Sequence, residues 1–143
     1  MASDRPDCIF CRIVRKEAPA YVVSEDERTL VFMDIFPVAD GHTLIIPKAH
    51  CDDLFGADPE DMRAVIDVSR EVAYAIRRVL APDGLGVFQL NGAAAGQTVF
   101  HYHMHLIPRN HGGSMQIHSR TPGDPARLAE LAKRLAEAVA AGR

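Results

Sequence analysis

The run His101-Tyr102-His103-Met104-His105-Leu106-Ile107 alternates imidazole with apolar side chains over seven positions. Read as a strand, it puts the three histidines on one face at ~7 Å intervals and Tyr102, Met104 and Leu106 on the opposite, buried face. Such a ladder has little packing value, because imidazole is a poor strand former and adjacent rings repel once protonated. The run therefore points to a sheet and marks one of its faces for chemistry.

Other short runs supply partners for that strand. Tyr21–Ser24, Leu30–Met33, Thr43–Pro47 and Gly86–Leu90 are rich in Val, Ile, Leu or Phe and bounded by Pro, Gly or Asp, and the ladder strand covers Tyr102–Pro108. Asp58-Pro59-Glu60-Asp61 reads as a helix start, with an N-cap, proline in the first turn and early acids. Its apolar stripe is Met62, Val65, Ile66, Val72, Ala73, Ile76 and Leu80, and it stops before Pro82 and Gly84. Asp124-Pro125 opens a last helix with Leu128, Leu131, Leu135 and Val139 on one side, while Cys8 to Lys16 is a short helix or a turn. The pattern predicts an α+β fold: a mainly antiparallel five-stranded sheet, one long helix and a C-terminal helix. At 143 residues the chain is expected to form a single domain, 1–143.

Charge and composition narrow the partners. A net charge of −3 gives no general attraction to nucleic-acid polymers or anionic membranes. The longest apolar stretches, such as Leu44-Ile45-Ile46, cannot span a bilayer, and the N-terminus lacks a signal-peptide core. Three cysteines without disulfide-dense spacing fit a reducing cytoplasm. Between Gly84 and Gly123 there is no Asp or Glu, although the chain average would place about five there, and the same stretch holds five of the seven histidines. That is a site cleared of negative charge, suited to an anion.

Two chemistries use a histidine ladder: zinc ligation, and attack by a neutral imidazole on an electrophile. A hydrolytic zinc site wants a nearby acid, which the acid-free stretch does not supply. Just ahead of the ladder, Asn91-Gly92-Ala93-Ala94-Ala95-Gly96-Gln97-Thr98 offers small side chains and backbone N–H donors of the kind that hold phosphate. It lacks the Gly-Lys-Ser/Thr ending of a Walker loop. Cys8-x-x-Cys11 is a redox pair, half a zinc site or two ordinary thiols. As a zinc site its remaining ligands come from the histidines or Cys51.

The ladder resembles the His-φ-His-φ-His-φ-φ motif of the histidine-triad (HIT) superfamily. Further similarity to its Hint branch lies in Ile9-Phe10, Ile13-Val14-Arg15-Lys16-Glu17, Asp34-Ile35-x-Pro37, His42-x-Leu44-x-Ile46-Pro47-Lys48-x-His50 and Gly96-Gln97-Thr98-Val99. The resemblance covers about residues 8–109 as a HIT-like core and leaves 110–143 as a tail with a helix.

It implies a protomer whose sheet continues across a homodimer, and hydrolase or transferase chemistry at the α-phosphate of a purine nucleotide conjugate, leaving AMP or GMP. It implies that His103 is the nucleophile, that His105 stabilises the phosphoryl oxygens and that His42 backs the triad. Asp34 would hold the ribose, Phe10, Ile13, Phe32 and Ile35 the base, and Asn91, Gly96, Gln97 and Thr98 the phosphate. Bacterial members with Cys-x-x-Cys bind one structural zinc per protomer, which implies Cys8, Cys11, His50 and His101 here.

The tail, with His111, His118 and Arg120, departs from the Hint pattern and leaves the leaving group open among phosphoramidates, acyl-adenylates and dinucleoside polyphosphates. Two other readings stand beside this one: a non-catalytic nucleotide-binding module, and a zinc hydrolase ligated by His101 and His103. The catalytic reading requires the His103 ring to be open rather than buried and to face the small-residue loop.

Overall fold

The computed structural model describes residues 4–142. Elements follow the order α1 (Ile9–Val14), β1 (Val22–Glu25), β2 (Thr29–Met33), β3 (Thr43–Pro47), α2 (Pro59–Leu80), β4 (Gly84–Phe88), β5 (Met104–Arg109) and α3 (Pro125–Ala141), with single 3-10 turns at Leu54–Gly56 and Ala93–Ala95. The five strands form one antiparallel sheet in the order β1-β2-β3-β5-β4. The expected α+β class and strand number are therefore found. After α2 the chain enters the sheet at its edge as β4, and β5 then returns between β4 and β3.

The two long helices start where local chemistry places them. The Asp58 carboxylate accepts from the Glu60 N–H and Asp124 accepts from the Arg127 N–H, each followed by a proline that suits the first turn. Helix α2 ends at Leu80, with Ala81 left-handed just before Pro82. Its buried stripe is Val65, Ser69, Val72, Ala75 and Ile76. Ile66, expected on that stripe, is 49% exposed, since the stripe's centre falls one residue earlier.

Strands β2 and β3 are buried at every position, so both faces of the sheet are covered. Val31, Met33, Ile45, Tyr102 and Leu106 pack with α2 and α3. Leu30, Phe32, Leu44 and Ile46 face the other way, against Phe10 and Ile13 of α1. His105 pairs with Leu44 in the β3–β5 register and so lies on the α1 face. The sorting expected of the ladder is thus observed: Tyr102 and Leu106 toward the helices, His105 away from them.

Two boundaries differ from the sequence reading. Strand β4 runs Gly84–Phe88 rather than Gly86–Leu90, because Gln89 and Asn91 leave the ladder to hydrogen-bond each other. Strand β5 begins at Met104, not Tyr102. Beyond Pro47, β3 offers no partner, and the Tyr102 N–H bonds the Cys51 carbonyl instead. His101 and His103 therefore stand on an irregular approach to the strand. No helix among the described residues is long and apolar enough to cross a membrane.

Candidate active site and metal centre

The α1 face of the sheet opens into a cavity of about 830 Å³, the size of a small-molecule site. Phe10, Ile13, Phe32 and Ile35 make its apolar end, with Asp34 beside them. His105 lines it from β5, His42 and His103 from the residues just before β3 and β5, and Thr98 from the loop before the triad. Phe10 meets the edges of Phe32 and His103 at ring separations of 5.2 and 5.3 Å, so one aromatic residue joins the apolar end to the central histidine.

Hydrogen-bond partners fix which nitrogen of each ring carries a proton. The Val38 N–H donates to His42 Nδ1 at 3.2 Å, so neutral His42 holds its proton on Nε2. That N–H donates to His105 Nδ1 at 3.0 Å, with Asp34 Oδ2 3.4 Å away as a second acceptor. His105 then carries its own proton on Nε2, a buried atom with no partner among the described residues. His103 Nδ1 lies 2.7 Å from the His101 carbonyl, which can only accept, leaving the lone pair on Nε2. The result is a donor on His105 beside a lone pair on His103, the two rings 4.7 Å apart.

Burial keeps these rings neutral. It lowers His42 to about 4, with Arg109 and His103 adding repulsion, and His105 to about 2, with His103 and His42 adding to it. His103 is lowered as well, chiefly by burial, and burial raises the Asp34 carboxyl. His103 retains only 6% exposure, against the expectation of an open ring. The surface it keeps lines the cavity. Phe10 and its neighbours cover the rest of the ring, which explains the low figure.

His101 belongs to a different centre. Its Nδ1 lies 3.4 Å from Cys8 Sγ and 3.6 Å from Cys11 Sγ, and His50 Nδ1 lies 3.3 Å from Cys11 Sγ. All four ligand atoms fall within 4.8 Å of one another. A tetrahedral zinc with these ligand types spaces its donors ~3.3–3.8 Å apart.

The outer partners also fit. His101 Nε2–H donates to the Pro47 carbonyl at 2.8 Å and His50 Nε2–H to the Asp52 carboxylate at 2.9 Å, aiming both Nδ1 lone pairs inward. Burial pushes the Cys11 thiol up to about 11, so thiolate there needs a cation beside it. The residues present fit a zinc ion.

Asp34, His42 and His105 also bring donor atoms within 4.8 Å. There, however, the proton on His42 Nε2 occupies the position a metal would need, which makes the trio a hydrogen-bonded chain. The Cys–His cluster omits His103, so the pairing of His101 and His103 around one ion is not met.

The loop residues part company. Thr98 reaches the cavity, whereas Asn91, Gly96 and Gln97 do not line it. The Asn91 and Gln97 amides bond the segment 52–54 instead.

The sequence reading gave no role to several cavity residues. Ile117, His118, Ser119 and Arg120 of the tail line the cavity, His118 bonding the Gly96 carbonyl and meeting the edge of His105 at 6.4 Å. Arg109 pins the tail by donating to the carbonyls of Ser114 and Gln116. Phe88 stacks on His105 at 4.8 Å and 15°. The signal for the tail was the cluster of basic residues after the triad; nothing local marked Phe88.

Fold and site together define a histidine-triad protein with an adjoining Cys–His cluster that fits a metal ion. The chain belongs to the HIT family: the family model described as "HIT domain" matches residues 15–112. A Zn-bound histidine triad family protein from Mycobacterium smegmatis is 40% identical, with a TM-score of 0.84 over 94% of each chain. A hypothetical histidine triad nucleotide-binding protein from Sulfolobus tokodaii is 32% identical, with a TM-score of 0.86 over 94% of this chain and 93% of its own. Adenylylsulfatase HINT3 of Arabidopsis thaliana is 40% identical over 103 residues, 72% of this chain and 52% of that protein.

Proposed function

We propose that the protein is a nucleotidyl hydrolase or transferase acting at the α-phosphate of a purine nucleotide conjugate, with AMP or GMP as product. One observation carries the reading: His103 Nδ1–H is held by the His101 carbonyl, which leaves the lone pair on Nε2 of a ring that lines the cavity. His103 Nε2 attacks phosphorus, and the bond to the leaving group breaks in line. The His101 carbonyl supports the positive charge that grows on the ring. His105 Nε2–H stays on its ring and supplies a hydrogen bond to the phosphoryl oxygens, while the leaving group takes its proton from solvent. Water then opens the P–N bond, its oxygen going to phosphorus and its proton to solvent, and His103 returns as neutral imidazole.

Phe10, Ile13, Phe32 and Ile35 take the base and Asp34 the ribose, while Thr98 flanks the phosphate. Cys8, Cys11, His50 and His101 hold a zinc that cross-links the N-terminal helix to the triad. A second protomer extends the sheet along β4, whose outer edge pairs with no strand among the described residues.

The test is turnover of adenosine phosphoramidate and diadenosine polyphosphates by wild type and His103→Ala, with mass-spectrometric trapping of the nucleotidylated chain. Wild type is expected to turn over and to trap a nucleotide on His103, and the folded variant to bind AMP without turnover. Wild-type rates in the variant would refute the nucleophile. AMP binding by a wild type that neither traps nor turns over any substrate would favour the non-catalytic module.

A further inference from the structure

Two side-chain amides expected at the phosphate, one buried and one half-buried, are instead engaged with the protein. Gln97, 3% exposed, donates through Nε2 to the Asp52 carbonyl at 2.6 Å and to the Val99 carbonyl at 3.1 Å. Its Oε1 accepts the Gly92 N–H at 2.7 Å, and its own N–H bonds the Gly92 carbonyl at 3.1 Å. Asn91 Oδ1 accepts the Leu54 N–H at 2.7 Å, while its Nδ2 donates to Gln89. Both side chains therefore tie the loop 91–97 to the segment 52–54. That segment is anchored in turn, since the Asp52 carboxylate accepts from His50 Nε2–H, and the other nitrogen of His50 faces the cysteines.

We propose that Gln97 is a positioning residue through which the metal-binding segment His50–Leu54 holds the loop beside the cavity, so that zinc and nucleotide bind cooperatively. Every side-chain donor and acceptor of Gln97 is used. The loop cannot shift against Asp52 without leaving a buried amide unpaired, which is why two centres joined by one side chain share their order. Linkage requires the effect to run both ways by the same factor. The proposal rests on the nucleotide reading only for its choice of probe.

The experiment titrates the zinc-loaded protein with a chelator of known affinity, with and without saturating AMP, and reads the zinc Kd. In wild type AMP is expected to tighten zinc by about fivefold or more, the lower range of measured couplings. In Gln97→Met, which keeps length but loses every polar contact, the factor is expected to fall below about twofold. An equal factor in both proteins, or none in wild type that binds AMP, overturns the proposal.

Hydrogen exchange on zinc-loaded wild type covers the case in which the variant does not fold. AMP should then slow exchange of the Gly92 and Leu54 amides together. Protection of Gly92 with Leu54 unchanged overturns the coupling. Neither measurement reads turnover, so a failed nucleophile assignment and a failed coupling remain distinct results. Should AMP not bind at all, the nucleotide reading fails, and the cooperativity claim falls with it.

Discussion

Gly41 sits immediately before His42 and allows a quantitative test of how the site is held. Its φ is +90°, and a Cβ built there would lie 2.5 Å from a Leu80 methyl and 3.0 Å from the Pro108 ring. Carbon contacts are optimal near ~3.5–4.0 Å, so both overlaps are real. Gly92 has the same φ of +90°, but a Cβ there meets nothing within 4 Å. Alanine at Gly92, where ψ is 154°, therefore carries only the cost of a backbone region nearly confined to glycine, ~1–3 kcal/mol. At Gly41 a positive-φ cost of that order is joined by overpacking, ~1–3 kcal/mol. The Leu80 methyl can rotate aside and the Pro108 ring cannot, which places the excess near the middle of that range.

The expected order is a loss of ~2–6 kcal/mol for Gly41→Ala against ~1–3 kcal/mol for Gly92→Ala. Urea unfolding of zinc-saturated protein reads it, followed by far-UV circular dichroism because the chain has no tryptophan. Gly41→Ala should also impair turnover, since the strain falls on the residue preceding His42. If the two variants lose the same stability within about 0.5 kcal/mol, the reasoning from Cβ overlap is wrong.

Other expectations follow from the charges and the metal. Burial depresses His42 to about 4, below the ordinary value of 6.5, so the unfolded chain takes up a proton that the native ring refuses. Its contribution to stability is complete above pH 6.5 and is lost as pH falls toward 4, at up to about 1.4 kcal/mol per pH unit; urea midpoints at pH 7, 6 and 5 should show a shallower fall for His42→Gln than for wild type. Cys8→Ser should reduce bound zinc from one equivalent to a small fraction and lower the melting temperature, and an unchanged metal content by mass spectrometry would remove Cys8 from the centre. Arg120 lies in the cavity wall with no carboxylate partner among the described residues, so Arg120→Gln should lower kcat/KM more for diadenosine polyphosphates than for adenosine phosphoramidate. Equal losses on the two substrates would exclude a contact to the anionic leaving group.

Much of this protein is legible in sequence because its signals are local. A capping aspartate and the proline after it act within one turn, so the starts of α2 and α3 follow from Asp58-Pro59 and Asp124-Pro125 alone. Period two sorts the ladder between Leu106 and His105 whatever lies beyond it. The Cys-x-x-Cys spacing and the Pro47-x-x-His50 segment likewise pick out members of the Cys–His cluster once the family resemblance is seen.

Tertiary structure decided the rest, because it depends on contacts between residues far apart in the chain. Packing across some ninety positions, from Cys8 to His101, sets the first histidine of the ladder against the cysteines while the other two line the cavity. The protonated nitrogens of His42, His103 and His105 are set by backbone groups of Val38 and His101, which no side-chain pattern encodes. Asn91 and Gln97 could equally have faced a phosphate, and became braces because the segment 52–54 meets the loop with unpaired backbone groups of its own. A short-range code can write strands, caps and ligand types; the partner of each polar atom is chosen only when the chain closes around it and every buried group must find one.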